Sequence, residues 1–136
     1  MFQIKRSNPE GLWTAKRITQ MVEVEGPARL IFLSGQVAVG ADYKIVSGDI
    51  RKQAHAVYDN IDIALKAAGA TLANVIKTTT YLTSADYIGP SREVRVERYR
   101  NLEAPPANTL LIVSRLAEPE MLIEIELVAA IPAKQA

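Results

Sequence analysis

Glu124 and Glu126, in the run Ile123-Glu124-Ile125-Glu126-Leu127, are the first residues whose type and spacing suggest chemistry. In an extended strand alternate side chains point the same way, so the two carboxylates share one face and the apolar residues share the other. A carboxylate placed like this can hold a water and take its proton when an electrophilic carbon lies within hydrogen-bonding reach. A paired or solvated charge is the plainer reading, and it is preferred for Glu126. Ser34-Gly35-Gln36, at the end of an apolar run, forms a second candidate group. The glycine allows a ligand close to the backbone, and neighbouring amides can donate to an oxyanion or hold a water. A bulge at Gly35 with Ser34 bonded to backbone explains the same residues. Ser34 is not read as a nucleophile, because the single histidine, His55, lies in a distant helical pattern and no other base is near. His55 itself reads as a surface or subunit contact.

The elements that position these groups follow from periodicity and turn chemistry. Met21 to Val24 and Arg29 to Val39 are strand-like runs separated by Glu25-Gly26-Pro27, which predicts a hairpin. A short strand is expected at Tyr43 to Val46, and Ser47-Gly48-Asp49 supplies capping chemistry for a helix. Ile50, Ala54, Val57, Ile61, Leu65 and Ala68 recur at helical spacing and form its buried stripe, and Gly69 ends it. Val75 to Leu82 reads as a strand and Ser84 to Pro90 as a loop. Ser91 is expected to cap a second helix reaching about Leu102, with Arg92, Arg95, Arg98 and Arg100 as a solvated face. Pro105-Pro106 stops it, and strands follow at Thr109 to Leu116 and Leu122 to Ala130. The order predicts a mixed sheet with both helices on one face, leaving the face of Glu124 and Glu126 to be covered by something else.

Composition narrows the partners. A chain of 136 residues with 49% hydrophobic content forms one core, so a single domain over 1–136 is expected. The net charge of +1 gives no field that would gather nucleic acid or an anionic membrane. With no cysteine, disulfides, thiolate catalysis and cysteine-ligated metal are excluded, and no metal site is expected around one histidine. The N-terminal segment lacks the apolar run of a signal peptide, and apolar stretches such as Leu127 to Pro132 are far too short to cross a bilayer. A cytoplasmic, membrane-free protein is the expectation.

One set of motifs carries a resemblance. In order, the chain reads Leu33-Ser34-Gly35-Gln36-Val37, Asn60-Ile61, Ala68-Gly69, Val75-Ile76-Lys77-Thr78-Thr79, Pro106-Ala107-Asn108, Arg115-Leu116 and Ile123-Glu124-Ile125-Glu126. Over about Val22 to Ile131 this set resembles the RidA/YjgF family of small imine and enamine deaminases. The resemblance implies an α+β, chorismate-mutase-like domain with a mixed six-stranded sheet and two helices on one face. It further implies a homotrimer whose sheets close into a barrel with ligand clefts between subunits, and no cofactor. Glu124 matches the family glutamate that lines the cleft and helps position or activate water, and Ser34, Gly35 and Gln36 match a cleft wall. Tyr81 and Tyr87 fall where aromatic residues from a neighbouring subunit wall the cleft, with core packing weighted equally. The third residue of the Pro-Ala motif is usually an arginine that holds the substrate carboxylate, and here it is Asn108, a neutral amide. Ile18 falls where many deaminases carry a pocket tyrosine. Arg17 beside it offers a positive charge, although an exposed basic residue is the commoner explanation, and Arg115 matches an arginine of active relatives.

Two functions follow. One is a hydrolase that converts a reactive imine or enamine to a carbonyl compound and ammonia, with a preference moved by Asn108 toward substrates having a neutral or aromatic recognition end. The other is a non-catalytic small-molecule-binding or accessory trimer using the same cleft. A ribonuclease finds little support, since the arginines of the second helix lack the aromatic interleaving of an RNA-binding surface.

Overall fold

The computed structural model describes residues 1–46, 48–102 and 104–134; the expected capping residue Ser47 lies outside them. The chain forms β1 (Gln3–Ser7), β2 (Met21–Glu25), β3 (Ala28–Val37), α1 (Ile50–Ala67), β4 (Val75–Leu82), α2 (Ile88–Tyr99), β5 (Ala107–Ile112) and β6 (Ile123–Pro132). The strands divide into a two-stranded ribbon, β1-β2, and a four-stranded sheet in the order β3-β6-β4-β5. In the sheet, β6 runs antiparallel to both β3 and β4, while β4 and β5 are parallel neighbours joined through α2. The expected α+β fold is thus present, with its six strands split between two sheets.

Several local expectations need correction. β2 does not form a hairpin with β3; it pairs antiparallel with β1, an element the sequence reading did not assign. The physical reason lies in strand length and burial. β3 and β6 are both ten residues long and β6 buries most of its length, whereas β1 and β2 are short and half-exposed and so form a surface ribbon. Tyr43 to Val46 is a loop touching Val39 through one bridge at Ile45, and Tyr43 sits at φ 62, which ends strand geometry. α2 begins at Ile88 without Ser91 as its cap, because Ser84 caps a 3-10 turn at Ala85–Tyr87 that leads directly into the helix. Pro90 is tolerated there because the first turn has no intrahelical partner for its missing N–H. β5 ends at Ile112, earlier than the expected Leu116.

α1 forms as its sequence predicts. Asp49 accepts from the backbone N–H of Lys52 at 2.9 Å, and Gly69 at φ 78 closes the helix with Ala70 N–H on the Leu65 carbonyl and Gly69 N–H on that of Lys66. Its stripe of Ile50, Ala54, Val57, Ile61 and Leu65 packs on Ile123, Ile125, Leu127, Ala129 and Ile131 of β6. Two side-chain amides, one half-buried and one buried, then tie α1 to the strands. Asn60 donates to the carbonyls of Val37 and Val39, both at 2.9 Å, and so anchors the end of β3. Gln53, 1% exposed, donates to the carbonyls of Val46 (3.1 Å) and Glu120 (2.8 Å) and accepts from Leu122 N–H (2.8 Å). That second clamp fixes where β6 starts, and with it the position of Glu124.

Gln53→Leu keeps the volume but leaves these backbone groups without partners. We expect it to lower the unfolding free energy by about 2 to 3 kcal/mol, read as a reduced urea midpoint with unchanged slope. An unchanged midpoint would mean that the clamp is not what holds the start of β6.

Candidate functional site

At the bulge of β3, Ser34 and Gly35 together face the single residue Glu126 of β6, since Leu33 pairs with Leu127 and Gln36 with Ile125. The carboxylate of Glu124 lies across Gly35 so closely that a Cβ there would overlap it. Glycine is therefore required for this approach, although its backbone conformation is open to other residues. Glu124 is partly buried and its pKa is raised, first by desolvation and then by the charge of Glu126. Glu126 is exposed and accepts from the Tyr81 hydroxyl at 2.6 Å, which also holds the Tyr81 phenol above its ordinary pKa. Gln36 turns back on the bulge, its amide donating to the Ser34 carbonyl at 3.0 Å. The structure thus brings Ser34, Gly35, Glu124, Glu126 and Tyr81 together at the sheet face away from the helices, while Gln36 pairs with the inward Ile125 and braces the bulge through the Ser34 carbonyl.

Asn108 lies on the other face. It pairs in register with Thr78, and its Oδ1 accepts from the hydroxyls of Thr78 (2.7 Å) and Thr80 (3.2 Å). These two donors fix the amide, turning its N–H groups away from the threonines. Thr78 in turn accepts from Nη1 of Arg95 at 3.2 Å, so one chain of hydrogen bonds runs from α2 through β4 to β5. Arg95 is only 6% exposed, which corrects the expectation of a solvated arginine face on α2. Its Nε donates to the Arg17 carbonyl at 3.1 Å, and its guanidinium lies 5.3 Å from the centre of the Tyr99 ring. Its Nη2 is buried without a partner among the described residues. Arg98 is also engaged, with Asp59 at 2.8 Å and with His55, so His55 serves the contact between α1 and α2.

A cavity of about 180 Å³ opens beside this chain of bonds. Arg17, Arg92 and Arg95 line it together with Asn108, Thr80 and Ser91, apolar walls come from Ile18, Leu110, Ile123 and Ile125, and Trp13 and Tyr58 complete it. Among the described residues no carboxylate contributes to this wall. The loop bearing Arg17 and Ile18 is held here because Thr19, 3% exposed, bonds through its hydroxyl to the Pro105 carbonyl (2.6 Å) and through its N–H to that of Pro106 (3.3 Å). Ile18, Arg17 and Asn108 are therefore brought together at one cavity. Tyr87 packs against the core, and Arg115 bonds only the nearby carbonyls of Leu116 and Ala117, so neither reaches the cavity within one chain.

Arg95, Thr78 and Trp13 were not singled out from sequence. A signal for Arg95 existed: Ser91, Val94, Arg95 and Tyr99 are spaced as one buried helical stripe, which places an arginine in the middle of the face toward the sheet.

The comparisons with known proteins agree with this fold. The family model described as Endoribonuclease L-PSP matches residues 14–131. A RutC family protein of Pyrococcus horikoshii is 39% identical over 100 residues, covering 73% of this chain and 77% of the relative. Protein HMF1 of Saccharomyces cerevisiae is 32% identical over 101 residues, 74% of this chain and 76% of that one. Among solved structures, YyfB of Yersinia pestis, described as a member of the conserved Rid protein family, superposes with a TM-score of 0.86 at 32% identity, covering 94% of this chain and 98% of the other. RidA of an Antarctic Psychrobacter superposes at 0.69 with 26% identity, covering 93% and 94%. With the family model spanning most of the chain, and with Rid proteins sharing both its sequence and its fold, the chain belongs to the RidA/YjgF family.

Proposed function

We propose that the chain is a hydrolase of the RidA type that deaminates a reactive imine or enamine, with Glu124 as its acid–base group. The observation that carries this reading is the Glu124 carboxylate lying over the Gly35 backbone, partly desolvated and with a raised pKa. A base whose pKa is moved toward neutrality transfers protons better in both directions than an ordinary carboxylate. Water held by Glu124 attacks the imine carbon as Glu124 takes its proton. The substrate reacts as its protonated iminium, so the C=N π electrons move to nitrogen and leave a neutral carbinolamine. The carboxyl proton then passes to nitrogen, the oxygen lone pair forms the C=O bond as the C–N bond breaks, ammonia leaves, and the hydroxyl proton goes to the freed Glu124 carboxylate and on to solvent. An enamine enters the same sequence after protonation at carbon.

Within one chain the Glu124 group and the cavity lie on opposite sheet faces, the carboxylate leaning toward the β3 edge and Asn108 standing on the β5 edge. β3 carries the bulge and β5 carries Asn108, and both are edge strands with unpaired backbone groups. We propose that β5 of one copy meets β3 of the next in a closed homotrimer, so that each cleft takes its recognition wall from one chain and its acid–base group from another. The exposed Phe32 (72%) and Leu30 (53%) on β3, with Leu111 (42%) on β5, support burial of this face. Asn108 is read as standing where the family usually has its carboxylate-holding arginine. The non-catalytic reading is favoured by one feature, the distance between the two groups within a single chain, and it falls if the trimer is catalytic. The engagement of α2's Arg95 and Arg98 within the chain favours a small-molecule substrate over RNA.

Light scattering at dilute concentration should give three times the chain mass; a stable monomer would remove the shared cleft. With freshly generated imines and ammonia release as the readout, Glu124→Gln should keep the fold and lower turnover by about a hundredfold or more, whereas Glu126→Gln should stay within a few-fold. Gly35→Ala should behave like Glu124→Gln, because the added methyl displaces the carboxylate. As a base Glu124 must be ionised, so turnover should fall as pH is lowered through a midpoint above that of an ordinary glutamate. Full activity in Glu124→Gln would end its assigned role.

A further inference from the structure

Glu124 and Glu126 stand on one strand face, yet their surroundings differ: Glu124 is half-buried over Gly35 and Glu126 is exposed. Tyr81 is placed between them. In the register of β4 with β6 it stands opposite Glu124, while Thr79 stands opposite Glu126. Its hydroxyl nevertheless reaches diagonally along the face and donates to Glu126 at 2.6 Å. A phenol has one O–H to give, so the bond made to Glu126 is withheld from Glu124. The neighbouring strands bring one further charge to this face. Lys77 of β4 shares a shallow hollow with Glu126 and Phe32, and its ammonium donates to the Thr109 hydroxyl of β5 at 2.7 Å. The other residues on this side, Ser34, Gly35 and Phe32 of β3 with Thr109 and Leu111 of β5, carry no charge.

We propose that Tyr81 is a positioning residue of the acid–base site: by binding Glu126 it holds that carboxylate as the charged member of the pair and leaves Glu124 as the member that takes and returns the proton. A hydrogen bond donated to a carboxylate favours its charged form, and a fixed negative charge beside Glu124 opposes a second one. The raised pKa of Glu124, with desolvation as its first cause and Glu126 as its second, agrees with this division. Without the bond, two like carboxylates on one face share the proton, and neither is committed to the role. The catalytic meaning of Tyr81 rests on the acid–base reading of Glu124 above, but the protonation of Glu124 can be followed without turnover.

Carboxyl NMR of the full-length protein carrying isotope-labelled glutamate reads that protonation directly, with the Glu124 signal assigned by its loss in Glu124→Gln. Glu126→Gln should move the Glu124 midpoint toward acid, because the opposing charge is gone. Tyr81→Phe keeps the ring and removes only the hydroxyl, and it should move the midpoint the same way by less. The double variant should match Glu126→Gln alone, since Tyr81 acts through Glu126. Imine turnover should follow: a base with a lower midpoint stays ionised at lower pH, so each variant keeps a larger share of its plateau rate there. A Glu124 midpoint unmoved by Glu126→Gln or by Tyr81→Phe, or a double variant shifted beyond Glu126→Gln, would overturn the proposal. Titration as described without imine turnover would keep the division of roles set by Tyr81 and remove the deaminase. Turnover whose low-pH limb ignores these shifts would keep the deaminase and remove Tyr81 from its site.

Discussion

The buried guanidinium of Arg95, held without a carboxylate partner among the described residues, is the constraint around which the rest of this structure is arranged. Removing such a charge from water costs several kcal/mol unless other groups offset it, which is far more than an exposed pair such as Lys5 with Glu25 contributes. The offsetting groups come from separate parts of the chain. Thr78 must face the helices, which sets the register of β4; the Arg17 carbonyl must point inward, which fixes the loop after β1; and Tyr99 must lie one helical turn away on α2. The Thr19 bonds to Pro105 and Pro106 then draw that same loop onto the start of β5. Loop, helix and two strands are thereby tied to a single charge.

A sheet with two open edges has a different problem on each side. Around β5 the wall is positively charged and partly apolar. Around β3 a bulge and a glycine make room for the carboxylate of Glu124, whose desolvation and whose neighbour Glu126 both resist ionisation. The two halves are complementary in charge and in role, one suited to recognition and the other to proton transfer. Edge-to-edge closure between copies satisfies the free backbone groups, covers Phe32 and Leu30, and joins the halves at once. In the proposed assembly, stability and function rest on the same contact.

Much of the fold was legible in sequence because its signals are periodic. The α1 stripe, its Asp49 cap and its Gly69 stop are local, and the alternation of β6 places Ile123, Ile125 and Leu127 inward with Glu124 outward. The β1-β2 ribbon was not legible, because Gly26-Pro27 reads equally well as a hairpin turn and as a change of sheet. Threonine suits either face of a strand, so the inward orientation of Thr78 and Thr80 could not be seen until β4 was paired. The separation of Asn108 from Glu124 was hidden for a related reason: alternation assigns faces within one strand, but only the register across β6, β4 and β5 relates one strand's faces to another's. The role of Arg95 was missed because charge argued for solvent while its spacing placed it in the buried stripe.

Mixed assemblies test most directly whether each site is shared between copies. Glu124→Gln and Asn108→Asp chains, each expected to be inactive on a carboxylate-bearing imine when assembled alone, are unfolded together, refolded as mixed trimers and assayed for ammonia release. If one chain supplies the recognition wall and its neighbour the acid–base group, some mixed interfaces contain two unmodified halves and activity reappears. Mixed trimers as inactive as their parents, with mixing verified by mass spectrometry, would place both halves in one chain and contradict the shared cleft.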